Sequence, residues 1–216
     1  MITVLLVDDH DLVRTGIKRL LSDVPEIEVI GEASNGEDAV KLAKEKKPNV
    51  VLMDVKMPGI GGLEATRKML RHDPNLKVIA LSVHAAEPFP SKLLQAGASG
   101  YLTKGALLEQ MVTAIRTVHA GKRYLGPEIA QQLALRTLSD SDKSPFELLS
   151  ERELQVMMMI TAGQNVQQIA EKLHVSPKTI NSYRYRIYEK LEIESDVELT
   201  LLAMRYGMLD TENTPE

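Results

Sequence analysis

The chain contains no cysteine and no tryptophan, and only 4% of its 216 residues are aromatic. The first absence excludes disulfides, thiolate metal sites and cysteine nucleophiles, and it fits a reducing, cytoplasmic setting. The scarcity of aromatics leaves little with which to line an apolar small-molecule pocket. No apolar run approaches the roughly 20 residues that span a bilayer, so no membrane partner is expected. No basic patch precedes the apolar N-terminal run, so a secretory signal is not expected either. An excess of positive charge is also missing: 26 Lys and Arg against 30 Asp and Glu give a formal net charge of −4. Any nucleic-acid-binding surface must therefore be local.

What is present falls into two styles. In the first half, short β-branched runs at Thr3–Val7, Glu28–Glu32, Val50–Met53, Lys77–Leu81 and Gly100–Leu102 alternate with helical patterns. The helical segments are His10–Leu21, Gly36–Lys46, Gly62–Arg71, a short one near Ser91–Gln95, and Leu107–His119. Such alternation predicts an α/β fold, a doubly wound five-stranded parallel sheet; in the order 2-1-3-4-5, the expectation here, strands one and three are neighbours. The runs at Thr3–Val7 and Val50–Met53 are apolar throughout, as strands buried on both faces should be. Gly126-Pro127 opens a further helical stretch to about Leu135, and the polar "RTLSDSDKSP" after it reads as a linker. Beyond it there is no strand pattern, only four helices: Ser150–Ala162, Val166–Leu173, Pro177–Leu191 and Asp196–Tyr206. Ser150 with Glu153 forms a capping box, and Ser176-Pro177 supplies an N-cap with proline at the first helical position. The expected division is residues 1–121, a connecting segment 122–146 with one helix, and an all-α domain over 147–216.

In a parallel sheet the carboxyl edge carries the site. Strand one ends at Asp8 and Asp9, strand three at Asp54, strand four at Ser82, and strand five runs out to Lys104. Two carboxylates about 4 Å apart near a surface repel by roughly 4 kcal/mol. Helix capping would need one aspartate and explains neither Asp54 nor Lys104. Three converging carboxylates instead suit a hard divalent cation such as Mg²⁺, which often bridges carboxylates to a phosphate. A carboxylate can attack a phosphoryl group to give an aspartyl-phosphate. A lysine and Mg²⁺ would offset the charge on the phosphoryl oxygens, and Ser82 could donate to them. The "PGIGG" after Asp54 is no phosphate-binding loop, because no Gly-Lys-Ser/Thr follows; it reads as a flexible loop into a helix. The five histidines lack metal-ligand spacing and read as surface or packing residues.

Asp8-Asp9, Asp54 with Pro58 four residues on, Ser82, Tyr101 and Lys104 resemble the receiver domain of bacterial two-component response regulators. That resemblance implies that Asp54 is the phosphoacceptor. It implies that Asp9, Asp54 and the backbone carbonyl of Lys56 hold Mg²⁺, with Asp8 contributing through water. Ser82 and Tyr101 would be the switch pair, and the phosphoryl donor a sensor histidine kinase. Lys56 and His84 flank the site.

The second informative stretch is "SPKTINSYRYRIYEKL". Ile180, Ile187 and Leu191 fall on one side of a helix, and Lys178, Asn181, Ser182 and Tyr185 largely on the other. Arg184, Arg186 and Lys190 flank that face. Between Lys178 and Lys190 the only acid is Glu189, so the basicity is local. Amides and hydroxyls interleaved with cations suit DNA, the cations on phosphates and the others on base edges. "IAEKLHVSPKTI" places helix, turn and helix in sequence. "LSEREL…G…IAEKLHVSPKTINSY…KL" resembles the LuxR-type helix-turn-helix of the NarL/FixJ subfamily. By that resemblance Pro177–Leu191 is the recognition helix, with Thr179 among its DNA-facing residues. Asp196–Tyr206 would be a dimerisation helix, pairing through Val197, Leu201 and Met204 on a near-palindromic double-stranded site.

A narrower resemblance, to the GacA/UvrY group, extends end to end. It implies a hybrid membrane kinase of the GacS/BarA type and activation of genes for small regulatory RNAs that sequester a translational repressor. Three other readings compete, two with a specific obstacle and the third, a protein-docking output, separated by experiment. An aspartate-nucleophile phosphatase needs an acid two residues after the nucleophile, where this chain has Lys56. A quorum sensor needs an aromatic-lined pocket. A protein-docking output would not retain DNA specifically at moderate salt.

Overall fold

The computed structural model describes residues 1–57, 59–83, 88–138 and 144–209. It divides between Ser141 and Asp142 into two compact units. In the first, β1 (Ile2–Val7), β2 (Ile27–Ala33), β3 (Val50–Asp54), β4 (Lys77–Ser82) and β5 (Gly100–Thr103) alternate with α1 (Asp11–Ser22), α2 (Gly36–Lys46), α3 (Gly61–His72), α4 (Phe89–Gln95) and α5 (Leu108–His119). All strand pairings are parallel, and the order is β2-β1-β3-β4-β5-β6, where β6 is Tyr124–Leu125.

Every residue of β3 is buried, which is why its sequence is apolar up to Asp54. Val4, Leu6, Leu52, Ile79 and Leu81 pack with Ile17 and Leu21 of α1 and Met111, Ile115 and Val118 of α5 in one core cluster. Burying each such side chain stabilises the fold by roughly 1.5–3 kcal/mol. The register pairs Val7 with Met53 and Asp54 with Leu81, which brings the ends of β1, β3 and β4 to one edge.

The expected five strands are six among the described residues. Tyr124 N–H donates to the Ser99 carbonyl at 3.0 Å and Gly126 N–H to the Tyr101 carbonyl at 2.9 Å, adding β6 beside β5. A two-residue strand has no periodicity to read in sequence; only its pairing defines it. Helix α6 (Pro127–Leu138) also belongs to the first unit, with Ile129 fully buried and the Thr103 hydroxyl 3.3 Å from Glu128. The segment read as a connector after residue 121 is therefore largely part of the first unit. The polar stretch at 139–143, half of the "RTLSDSDKSP" segment, lies outside the described residues, as do Pro58 and His84.

The second unit starts earlier than expected, with a 3-10 turn at Pro145–Leu148 whose Phe146 is buried and meets Tyr206 edge-to-face at 5.7 Å. It continues with α7 (Glu151–Thr161), α8 (Val166–Leu173), α9 (Pro177–Leu191) and α10 (Asp196–Arg205). The Ser150–Glu153 capping box is present, with Ser150 N–H donating to Glu153 at 2.8 Å. Ser176 caps α9 by accepting from Thr179 N–H at 3.1 Å. Met157 and Met159 are buried, so the methionine run of α7 fills the core.

Candidate functional site

At the carboxyl edge of the sheet, Asp8 and Asp54 are buried to 0% and 1% exposure and Ser82 to 2%. Lys104, following β5, reaches both carboxylates: its Nζ lies 2.7 Å from Asp54 Oδ2 and 2.8 Å from Asp8 Oδ2. Its backbone N–H donates to the Ser82 carbonyl at 2.8 Å, which fixes where the lysine leaves the sheet. Asp54 Oδ1 accepts from Lys56 N–H at 3.1 Å. Burial pushes the Asp54 carboxyl up to about 7, against the pull of Lys104 and with a push from the Asp8 charge. The Lys104 ammonium is drawn down by burial, but Asp54 and Asp8 outweigh this and hold it above its ordinary value.

The aspartates do not serve as helix caps. The N-cap of α1 is His10, which makes no side-chain cap bond, while Asp8 accepts from His10 N–H at 2.8 Å. Asp8 Oδ2 and Asp9 Oδ1 are buried, and each meets one nitrogen, Lys104 Nζ at 2.8 Å and His10 Nδ1 at 2.9 Å. Three clustered carboxylates against one ammonium leave the edge negative, and a further cation offsets that charge. Asp8, Asp9, His10 and Asp54 each offer one ligand atom, and these atoms lie within 4.8 Å of one another. The carboxylate-rich set fits a hard divalent ion such as Mg²⁺. His10 was read as a surface or packing residue. Its ring is 61% exposed, yet Nδ1 lies 2.9 Å from Asp9 Oδ1.

Tyr101 is fully buried in β5, so in this state its ring already lies inside the fold. The "PGIGG" glycines do more than loosen a loop. Gly59 and Gly61 have φ of +81° and +68°, and a Cβ on Gly62 would lie 2.0 Å from the Asp54 carbonyl oxygen. Glycine here permits close backbone approach to the end of β3. Gly62→Ala is expected to destabilise the first unit by about 1–3 kcal/mol and to displace Asp54. Denaturant unfolding and the rate of acyl-phosphate labelling check both effects.

In the second unit, α9 buries Ile180, Ile187 and Leu191 and presents its other side to solvent. Lys178, Ser182, Tyr185 and Arg186 are exposed, and Thr179 and Asn181 are half-buried. The Ser182 hydroxyl donates to the Lys178 carbonyl at 3.0 Å, leaving its oxygen to accept. Two expected phosphate contacts are engaged within the fold. Lys190 Nζ lies 2.6 Å from buried Glu153, and Arg184 Nη2 lies 2.6 Å from Asp196. Periodicity placed both on the flank of the helix; it could not show that α7 and α10 supply acids there. On α10, Val197, Leu201 and Met204 are 68%, 59% and 48% exposed, an apolar stripe at helical spacing.

Residues 4–116 match the response regulator receiver domain, and residues 147–203 match the bacterial regulatory proteins of the luxR family. Response regulator GacA of Pseudomonas syringae pv. syringae (strain B728a) is 63% identical over 211 residues, covering 97% of this chain and 99% of that protein. Response regulator UvrY of Escherichia coli (strain K12) is 57% identical over 213 residues, 98% of each. The solved structure of a two-component response regulator RcsB–DNA complex is similar with a TM-score of 0.59 and 25% identity, covering 94% of this chain and 98% of that one. Among the described residues no helix is long and apolar enough to cross a membrane. A receiver whose carboxylates and lysine meet at the sheet edge, joined in one chain to a LuxR-type helix-turn-helix, makes this protein a member of the two-component response regulators, similar over nearly its full length to the GacA/UvrY group.

Proposed function

We propose that Asp54 is the phosphoacceptor by which a sensor histidine kinase controls DNA binding. The observation that carries this is the Lys104 ammonium joining Asp8 and Asp54, with Asp9 beside them, so that three carboxylates meet one cation at the sheet edge. An Asp54 oxygen attacks phosphorus, the bond to the donor breaks, and the aspartyl-phosphate forms. Lys104 and the Lys56 N–H are placed to meet the phosphoryl oxygens, and Ser82 donates to them. Asp9, Asp54 and the Lys56 carbonyl would hold Mg²⁺, with Asp8 acting through water; bound there, the ion neutralises phosphoryl charge. Ser82 and Tyr101 relay the change to the surface of the receiver. The chain catalyses only its own phosphorylation and dephosphorylation.

The likeness to GacA and UvrY supports a hybrid kinase of the GacS/BarA type as donor and genes for small regulatory RNAs as targets, with the protein acting in the cytoplasm beside the chromosome. A genome-wide DNA-occupancy map with and without intact Asp54 tests this. Asp54-dependent occupancy upstream of such RNA genes is expected; occupancy indifferent to Asp54 would overturn the reading.

On α9, Lys178 and Arg186 meet phosphates, and Thr179, Asn181, Ser182 and Tyr185 lie nearer base edges. Arg184 and Lys190, being engaged by acids of the fold, contribute less to phosphate affinity than sequence position suggests. Arg186→Ala is expected to weaken binding to all DNA and reduce the salt slope by about one, whereas Lys190→Ala leaves the slope nearly unchanged. Titrations of one DNA duplex over a range of salt concentrations distinguish the two.

A further inference from the structure

We propose that Asp196 and Arg184 are positioning residues for base readout, acting by fixing the Asn181 side-chain amide. The proposal rests on the reading of α9 as the recognition helix. Asn181, Arg184 and Tyr188 follow one another at helical spacing along α9, and Asp196 opens α10 opposite them. Arg184 grips Asp196 with two nitrogens, Nη2 to Oδ2 at 2.6 Å and Nε to Oδ1 at 3.3 Å. Tyr188 O–H donates to Asp196 Oδ1 at 2.5 Å and accepts from Arg184 Nη2 at 3.1 Å. The guanidinium also lies 5.8 Å from the Tyr188 ring centroid. These contacts hold a planar, forked cation at both its position and its tilt.

The remaining arm points at the helix surface, where Nη1 donates to Asn181 Oδ1 at 3.4 Å. That contact has a consequence for recognition. An asparagine reads adenine by presenting its oxygen and its NH₂ in a defined order, and rotation of the amide by half a turn exchanges them. A donor fixed on the oxygen side selects one order. The Arg184 charge is meanwhile offset by Asp196, so this arginine adds selectivity where an unpaired one would add phosphate affinity. The relay therefore runs from the first residue of α10 to a base-facing side chain of α9, over groups held by contacts within the fold.

The test uses the full-length phosphorylated protein and a duplex selected from random DNA by the unaltered chain. Affinities for that duplex and for its single-base-pair variants are measured at fixed salt. Asn181→Ala is expected to lose discrimination at the base pair it reads by roughly 5- to 150-fold. Asp196→Asn should lose much of the discrimination at the same base pair while keeping its affinity for unrelated DNA, and should add nothing in the Asn181→Ala background. Full discrimination in Asp196→Asn overturns the relay. So does a fall in affinity of Arg184→Ala for all sequences with a salt slope reduced by about one, the signature of a phosphate contact. A silent Asn181→Ala overturns the recognition reading itself, and the relay with it. If Asp196→Asn loses helical signal in circular dichroism, Arg184→Lys carries the same test. It keeps the charge and removes the fork, so retained discrimination there overturns the proposal equally.

Discussion

Asp54→Ala is expected to abolish acyl-phosphate labelling by a small-molecule phosphodonor, and a chelator is expected to do the same to the unaltered protein. Asp8 is equally buried and equally engaged, one oxygen accepting from His10 N–H and the other facing Lys104, so the choice of Asp54 follows its place at the end of β3, the position that resembles the receiver phosphoacceptor. Asp54 has a lysine on one oxygen and a backbone N–H on the other, groups that would meet the phosphoryl oxygens in the proposed transfer. Mapping of the modified residue after incubation gives the readout. Undiminished labelling of the variant, or full labelling in the chelator, defeats the assignment.

The same carboxyl dictates how stability follows pH. Its folded value of about 7 lies above the ordinary 3.8, because burial disfavours the anion. A raised value means that the native state holds the proton more tightly than the unfolded chain. The resulting stabilisation is full below pH about 4 and is lost as pH rises through about 7. Above that range the folded protein carries an unfavourable anion, which a divalent cation offsets. Mg²⁺ is therefore expected to raise the melting temperature more at about pH 8 than at about pH 6, and Asp54→Asn to shrink that difference. Calorimetric scans at the two pH values decide it.

Leu201→Glu on α10 is expected to reduce operator affinity of the phosphorylated protein by a factor on the order of 10²–10⁴, to that of an isolated half-site. Val197, Leu201 and Met204 form an exposed apolar stripe that suits a second copy of the same helix. Pairing there would set two α9 helices into successive major grooves, about 34 Å apart, on a near-palindrome. A charge in the stripe removes the pairing without touching α9. Sedimentation with and without the phosphodonor, and binding to full and half sites at fixed salt, supply the measurement. Equal affinity of the unaltered protein for both sites contradicts the dimer.

The sequence by itself determined the α/β alternation, the sheet order around β1 and β3, and the helices of the second unit nearly to the residue. Buried strands must be apolar, helices must show their period, and Ser150, Ser176 and Pro177 mark helix starts by their own chemistry. It also brought Asp8, Asp9, Asp54 and Lys104 together, since strand ends in a parallel sheet share one edge. Only the tertiary structure decided what depends on partners distant in the chain. The two-residue β6 exists through its bonds to residues around β5. Gly62 is needed because the Asp54 carbonyl passes beneath it. Arg184 and Lys190 look like free cations along the helix and are engaged because Asp196 and Glu153 fold against them. Periodicity assigns a side chain to a face; the charge it meets there belongs to another element, and only packing brings the two within reach.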